Sequence, residues 1–326
     1  MSKVFITGGM GFVGSFVVRQ LLAEGHEVVV FDNFVRYSPP TAEAETDWAG
    51  VRLKDVLDRI TLIRGNTANH DFVRRALRDH RPERIVHMAS MPIAALSVEH
   101  PEEAFESIMT GTLNLMQACR ELPDLHRFVL ISSSMAYGDF VEVPAREDMP
   151  LNPKDVYGGL KLCSEIVTKS FGELYRIPWT VIRPTAVYGP TDANRRVLAI
   201  FLERAMRGRM IKVKGPEQRL DFTYVKDTAA GIVAATLKDE GAGQTFNISR
   251  GEGRTLLEAA QIVQRLVPGT QLEVEGRDTR FPERGAMDIT RARTLLGYAP
   301  RYSLEEGMKE YFEFLQRHAS GHPLEV

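Results

Sequence analysis

The run TGGMGFVG, Thr7 to Gly14, constrains this chain more than any other stretch. It stands between the strand-like Lys3–Ile6 and a helix-like stretch from Phe12, and a second apolar run, VVVF, ends on Asp32. A glycine turn at the mouth of a first strand lets a pyrophosphate approach the backbone and rest on the N-terminus of the next helix. Asp32 comes 18 residues after Gly14. A carboxylate at that spacing suits a ribose with two free hydroxyls and repels a 2′-phosphate. Strand, glycine turn, helix and acid together predict dinucleotide binding, with NAD preferred over NADP. A glycine turn that only packs a helix on a strand leaves Asp32 unexplained.

The rest of the chain has the pattern of a large α/β protein. Strand-like runs at Val4–Thr7, Glu27–Phe31, Ile60–Arg64, Arg84–Met88, Phe128–Ser132 and Thr180–Arg183 alternate with helix-like stretches near Phe12–Glu24, His70–His80, Pro101–Glu121 and Asp155–Tyr175. This βαβ rhythm predicts a doubly wound parallel sheet. Residues 36–58, with Pro39, Pro40 and several acids, read as a surface insertion with one short helix. After Arg183 the rhythm breaks. Loops at 188–190 and 215–218 flank a helix near Val197–Arg207, and Phe222–Lys238 reads as a short strand and then a helix. Next come a helix at Thr255–Val267, a strand near Gln271–Val274 and a last helix from Ser303, with Ser303 and Glu306 spaced as a capping box. The expected division is a nucleotide domain of residues 1–183 plus about 222–249, interleaved with a smaller substrate lobe of about 184–221 plus 250–326.

The 326 residues carry a net charge of −2, which gives no pull towards nucleic acid or an acidic membrane. No apolar run approaches membrane-spanning length. Two cysteines, Cys119 and Cys163, stand without metal-like spacing and make no disulfide framework. No metal is expected. Opening on a strand-like run with no leader-like stretch, the chain is expected in the reducing cytoplasm.

Chemistry enters with Tyr157 and Lys161, four residues apart on one face of a helix. A cation beside a phenol favours the phenolate and makes tyrosine a usable base near neutral pH. Such spacing is common by chance on a solvated helix. Its context is ISSSMAYG, Ile131 to Gly138, where a strand ends at the carboxyl edge of the sheet and ligands of open α/β folds bind. The pair then reads with Ser133 as a catalytic Ser–Tyr–Lys set.

On these residues the chain resembles the extended short-chain dehydrogenases/reductases, in particular the NAD-dependent sugar-nucleotide epimerase/dehydratase family, of UDP-hexose 4-epimerase type. TGGMGFVG, Asp32, VHMAS, SVEHP, GTLNL, SSSMAYG, YGGLK, RPTAVYGP, LDFTYVKD and LLGYAPRYSLEEG stand in that family's order over nearly the whole length. The resemblance implies a Rossmann sheet. It implies that Gly8, Gly11, Phe12 and Val13 meet the pyrophosphate, and that Asp32 and Asn33 hold the adenosine ribose. Asn66 and Thr67 would then flank adenine, Met88, Ala89 and Ser90 would line ribose and phosphates, and Thr185 would contact the nicotinamide. Ser133, Tyr157 and Lys161 would touch substrate or cofactor as the catalytic set. It also implies a homodimer, with the Tyr157 helix and Pro101–Glu121 pairing into a four-helix contact.

The departures lie on the substrate side. Asn66 replaces the usual aspartate, Leu160 the usual serine, Ala186 the asparagine that helps hold a nucleotide diphosphate, and Leu220 the arginine of Arg-Asp-Phe. Arg219, displaced by one, and Arg284 in FPERG are the expected replacement anchors. The resemblance also separates reactions. Dehydratases place Asp-Glu after the catalytic hydroxyl and decarboxylases a glutamate; Ser134 and Met135 stand here, and Met135 transfers no proton. The expectation is C4 epimerisation of a nucleotide sugar through a 4-keto intermediate, with NAD retained. Ala186 and Leu220 keep open an NAD-dependent dehydrogenase or reductase on a non-nucleotide substrate; a non-enzymatic NAD sensor is the third reading. Arg195, Arg196, Arg204, Arg207 and Arg209 read as a solvated helix face, His87 as structural, and Cys163 with Leu160, Ile166 and Val167 as ordinary core.

Overall fold

A computed structural model describes residues 1–35, 37, 51–194, 196–277 and 282–319. Seven parallel strands form its sheet: β1 (Lys3–Thr7), β2 (Glu27–Asp32), β3 (Ile60–Arg64), β4 (Arg84–His87), β5 (Arg127–Ile131), β6 (Trp179–Pro184) and β7 (Gln244–Ile248). Their order is β7-β6-β5-β4-β1-β2-β3. This is the expected doubly wound, Rossmann-type α/β fold. The central strands are near-continuous apolar runs because both faces are covered. Alternate side chains feed two cores. Val4, Ile6, Val28 and Val30 meet helices α1 (Phe12–Ala23) and α5 (Val225–Leu237) on one face. Phe5, Val29 and Phe31 meet α2 (His70–His80) and α3 (Gly111–Cys119) on the other. The winding reverses between β1 and β4, which opens a crevice at the carboxyl ends of the strands.

Several elements differ from the expectation. Pro101–Glu121 is not one α-helix: Pro101–Phe105 runs through a wider π turn, Glu106–Thr110, into α3. A short helix at Ala94–Glu99 precedes it. The expected insertion falls largely outside the described residues, and its described end is a 3-10 turn, Lys54–Arg59. Strand β7 and strand Ile211–Lys214, which pairs with Leu272–Glu275, lie outside the expected pattern. So does helix Thr290–Leu296. The last helix is capped as expected: Glu306 donates its N–H to Ser303 Oγ at 3.2 Å, and Glu306 Oε2 accepts from Ser303 N at 2.8 Å.

The glycine turn fixes α1 against β1. A Cβ on Gly14 lies 2.2 Å from the Gly8 carbonyl oxygen, a contact that backbone cannot relieve without moving. Gly14→Ala should therefore lower unfolding stability by about 1–3 kcal/mol, the usual cost of overpacking, read as a lower denaturation midpoint at unchanged slope.

Candidate active site

A cavity of about 1480 Å³ runs along the carboxyl edge of the sheet. Gly8, Gly11, Phe12, Val13, Asp32, Asn33, Asn66, Thr67, Met88, Ala89, Ser90, Tyr157, Lys161 and Thr185 all line it, as do Ser133 and Arg284. It exceeds the roughly 300–1,000 Å³ of a single small-ligand site and has room for a cofactor and a substrate.

The cofactor half has the chemistry a dinucleotide needs. Helix α1 begins at Gly11 with no side-chain cap and no acid in its first turn, so its first N–H groups and positive dipole end are open to an anion. Asp32 is buried, and its two oxygens accept from Met10 N at 2.9 Å and Phe34 N at 2.8 Å. Each oxygen keeps a lone pair for a ribose hydroxyl. Burial raises the Asp32 pKa, opposed by those two amides and by the Arg52 guanidinium. Arg52 itself bonds the Met10 carbonyl at 3.0 Å and the Thr191 carbonyl at 2.7 Å, tying the glycine turn to the lobe. Nothing in the sequence signals Arg52. These residues fit NAD.

Tyr157 and Lys161 are placed by helix α4 (Val156–Tyr175), capped by Asp155, whose Oδ1 accepts from Gly158 N at 2.7 Å. Gly158 matters because a Cβ there lies 2.5 Å from the Met135 carbonyl oxygen. Its absence lets α4 settle on the turn after β5, where Ser133 is near enough to Tyr157 to favour its ionised form. Ser133 Oγ also accepts from Met135 N at 3.2 Å. Lys161 Nζ donates to Ser90 Oγ at 3.0 Å and to the Ile131 carbonyl at 2.9 Å, and lies 5.7 Å from the centre of the Tyr157 ring. Burial draws Lys161 down to about 8, opposed by Glu165.

The expected effect of Lys161 on Tyr157 needs correction. Burial raises the Tyr157 pKa, and the leading charge acting against that is Arg196, followed by the Ser133 hydrogen bond. Lys161 gives its hydrogens to Ser90 and Ile131. His87 is buried and structural: Thr7 Oγ1 lies 2.7 Å from Nδ1 and Thr112 Oγ1 3.1 Å from Nε2, and burial holds the imidazole down near 3.

Below the set lies a buried ion pair. Glu165 accepts two bonds from Arg183, at 2.9 and 2.7 Å, and one from Ser132 Oγ at 2.5 Å.

On the substrate side the structure separates the two expected anchors. Arg284 lines the cavity, and its Nη1 lies 3.4 Å from Ser134 Oγ. Burial draws it down to about 10, opposed by Asp155. Arg219 is not among the lining residues. It sits on strand Arg219–Leu220, where successive side chains face opposite ways. Leu220 faces the cavity, while Arg219 is exposed and donates to the Gly253 carbonyl at 3.1 Å. A one-residue displacement along a strand reverses the face, so Arg219 does not take over the missing arginine's place. Ala186 lines the cavity with a left-handed φ of 39°. Of the basic stretch, Arg196 and Arg207 line the cavity and Arg204 bonds the Met210 carbonyl; Arg195 lies outside the described residues. Cys163 is exposed rather than core. Among the described residues no group of three or more His, Cys, Asp or Glu side chains is placed to hold a metal ion.

Residues 4–249 match the model of the NAD dependent epimerase/dehydratase family. The chain is 30% identical to the UDP-glucose 4-epimerase of Mycolicibacterium smegmatis, over 96% of this chain and 98% of that protein. It is 28% identical to UDP-glucuronic acid decarboxylase 1 of Danio rerio, over 97% of this chain and 73% of that protein. The UDP-glucuronic acid 4-epimerase of Bacillus cereus, solved with UDP-glucuronic acid and NAD, superposes with a TM-score of 0.86 at 25% identity, over 97% of this chain and 99% of that one.

Two outcomes are expected. Ala186→Asn should raise stability by about 1 kcal/mol, because asparagine tolerates the left-handed region better than alanine; thermal unfolding checks this. NAD affinity should fall as pH rises through about 8, where free Lys161 loses its proton. Calorimetric titration should show that loss in wild type and not in Lys161→Met.

Proposed function

This chain belongs to the NAD-dependent epimerase/dehydratase family, and from that premise we propose that it inverts a nucleotide sugar at C4. The observation that carries this reading is the Ser133–Tyr157–Lys161 set standing beside Ser134 and Met135. The set suffices for proton transfer at one hydroxyl. Neither neighbour supports the further acid–base work of removing water or carbon dioxide.

In this mechanism Tyr157 takes the proton of the C4 hydroxyl, and Ser133 hydrogen-bonds the same oxygen and holds it at reacting distance. Lys161 holds the cofactor ribose with the donors it now gives Ser90 and Ile131. NAD, when bound, supplies a reversible hydride acceptor. The 4-keto sugar turns over, its other face is reduced, and Tyr157 returns the proton. No net redox change results. Residues 1–183 and about 222–249 would hold the cofactor, and the remaining lobe the sugar nucleotide, with Arg284 on its diphosphate.

A second reading keeps its own support. Ala186 and Leu220 line the cavity where a diphosphate would want donors, and Arg219 faces away. That favours an NAD-dependent dehydrogenase acting on a substrate without a nucleotide.

We also propose a homodimer. The segment Pro101–Cys119 and α4 pack together and leave Phe105 54% and Ile166 55% exposed, with Leu113 nearby in the same segment. A second copy of this face is the occupant the resemblance implies. Among the described residues no helix is long and apolar enough to cross a membrane. Two free thiols accord with a cytoplasmic setting.

A panel of UDP- and dTDP-sugars tests the reaction. The expected product has the mass of its substrate; one lighter by water or carbon dioxide, or steady formation of NADH, contradicts epimerisation. Tyr157→Phe should lose about a hundredfold or more in kcat, the usual contribution of a positioned base, while NAD stays bound. Near wild-type turnover in that variant removes Tyr157 as the base.

A further inference from the structure

Arg52 lies within the stretch that reads from the sequence as a surface insertion, yet it is buried and lines the cavity. All three of its guanidinium nitrogens are engaged. Nη1 donates to the Met10 carbonyl at 3.0 Å, Nη2 to the Thr191 carbonyl at 2.7 Å and Nε to Thr191 Oγ1 at 3.3 Å. The Arg52 carbonyl accepts from Arg19 of α1 at 3.1 and 2.7 Å, so the backbone from which the side chain reaches is itself pinned. Met10 is fixed in turn, because Asp32 accepts its N–H at 2.9 Å. One run of hydrogen bonds therefore leads from Asp32 through Met10 and Arg52 to Thr191, out of the glycine turn and into the loop after β6.

Thr191 is the unusual end of that run. Its φ is 67°, in the left-handed region, where a β-branched residue is a genuine outlier. Such a conformation persists only where the surroundings over-determine it. Two of the bonds that do so come from Arg52. Ala186, at the start of the same loop, is also left-handed. Ala186, Val187 and Tyr188 before Thr191, and Asp192 and Asn194 after it, all line the cavity. A wall of the cavity thus depends on a backbone that its own sequence disfavours.

We propose that Arg52 is a positioning residue: braced on the glycine turn, it holds Thr191 in its left-handed conformation and so fixes residues 186–194 as a wall against which the sugar nucleotide binds. The inference rests on the nucleotide-sugar reading above. Arg52 acts through Thr191 rather than on the reacting atoms. Its planar fork suits the task, since it spans the carbonyls of two separate segments at once.

The test is calorimetric titration of holoenzyme kept saturated with NAD. The probe is whichever of UDP and dTDP the wild type binds more tightly. Wild type is compared with Arg52→Gln, alone and combined with Thr191→Gly or with Thr191→Ala. Arg52→Gln should weaken nucleotide binding by about tenfold, within the range that a strained backbone conformation is worth. Adding Thr191→Gly should recover most of that loss, because glycine enters the left-handed region at no steric cost. Adding Thr191→Ala should recover clearly less, because alanine keeps the Cβ that opposes this conformation. Both double variants lack Oγ1, so the difference between them reads the backbone alone. Unchanged nucleotide binding in Arg52→Gln overturns the proposal. So does recovery no better with glycine than with alanine, which leaves Arg52 a merely structural role. Should Arg52→Gln not fold, Arg52→Lys keeps the buried charge and goes through the same series, with the same order expected and the same outcomes decisive. If wild-type holoenzyme binds neither UDP nor dTDP, the nucleotide-sugar reading fails. The brace is then decided by amide hydrogen exchange over residues 187–194 in holoenzyme: faster exchange in the Arg52 variant than in wild type supports it, and equal exchange overturns it.

Discussion

Glu165 is wholly buried one helical turn beyond Lys161, and the placement of the active site hangs on its ligands. Arg183 reaches it from β6 and Ser132 from the end of β5, so a single carboxylate joins α4 to two strands. Burial pushes Glu165 towards protonation, but the Arg183 bonds outweigh it and hold the carboxyl below its ordinary range. Breaking such a pair leaves an uncompensated buried charge, at a cost of about 3–5 kcal/mol. The helix therefore cannot slide or turn relative to the strands. Once its register is set, Gly158 lets its first turn close on the Met135 carbonyl, and Tyr157 reaches Ser133.

That arrangement trades ease of ionisation for position. Desolvation makes Tyr157 a weaker acid than a free phenol, and the cavity answers with positive charge: Arg196 acting on it directly, and the open start of helix Val197–Met206 that follows Arg196. Beside a desolvated side chain such charges act more strongly than they would in solvent. The same desolvation that opposes the phenolate strengthens the positive charge that favours it.

The cofactor half is legible in the sequence because its determinants are local. A glycine turn, an acid at the end of β2 and a tyrosine four residues before a lysine keep their meaning along the chain, and apolar runs mark β1 to β6. Strand β7, QTFNI, is short and half polar, so no periodicity marks it. The π turn at Glu106–Thr110 changes hydrogen bonding without changing the apolar pattern. The substrate side depends on which way a side chain faces. Arg219 and Leu220 exchange faces across one residue of strand. Arg196 shares its charge pattern with Arg204, which bonds its own lobe at Met210, and only the fold tells the two apart.

Epimerisation at C4 requires that hydride leave C4 and return to the same carbon within one binding event. Turnover of a UDP-hexose carrying deuterium at C4 tests this most directly. The expected product is inverted at C4 and keeps the deuterium there, with no net NADH. Deuterium lost to solvent, or NADH formed in step with product, contradicts it.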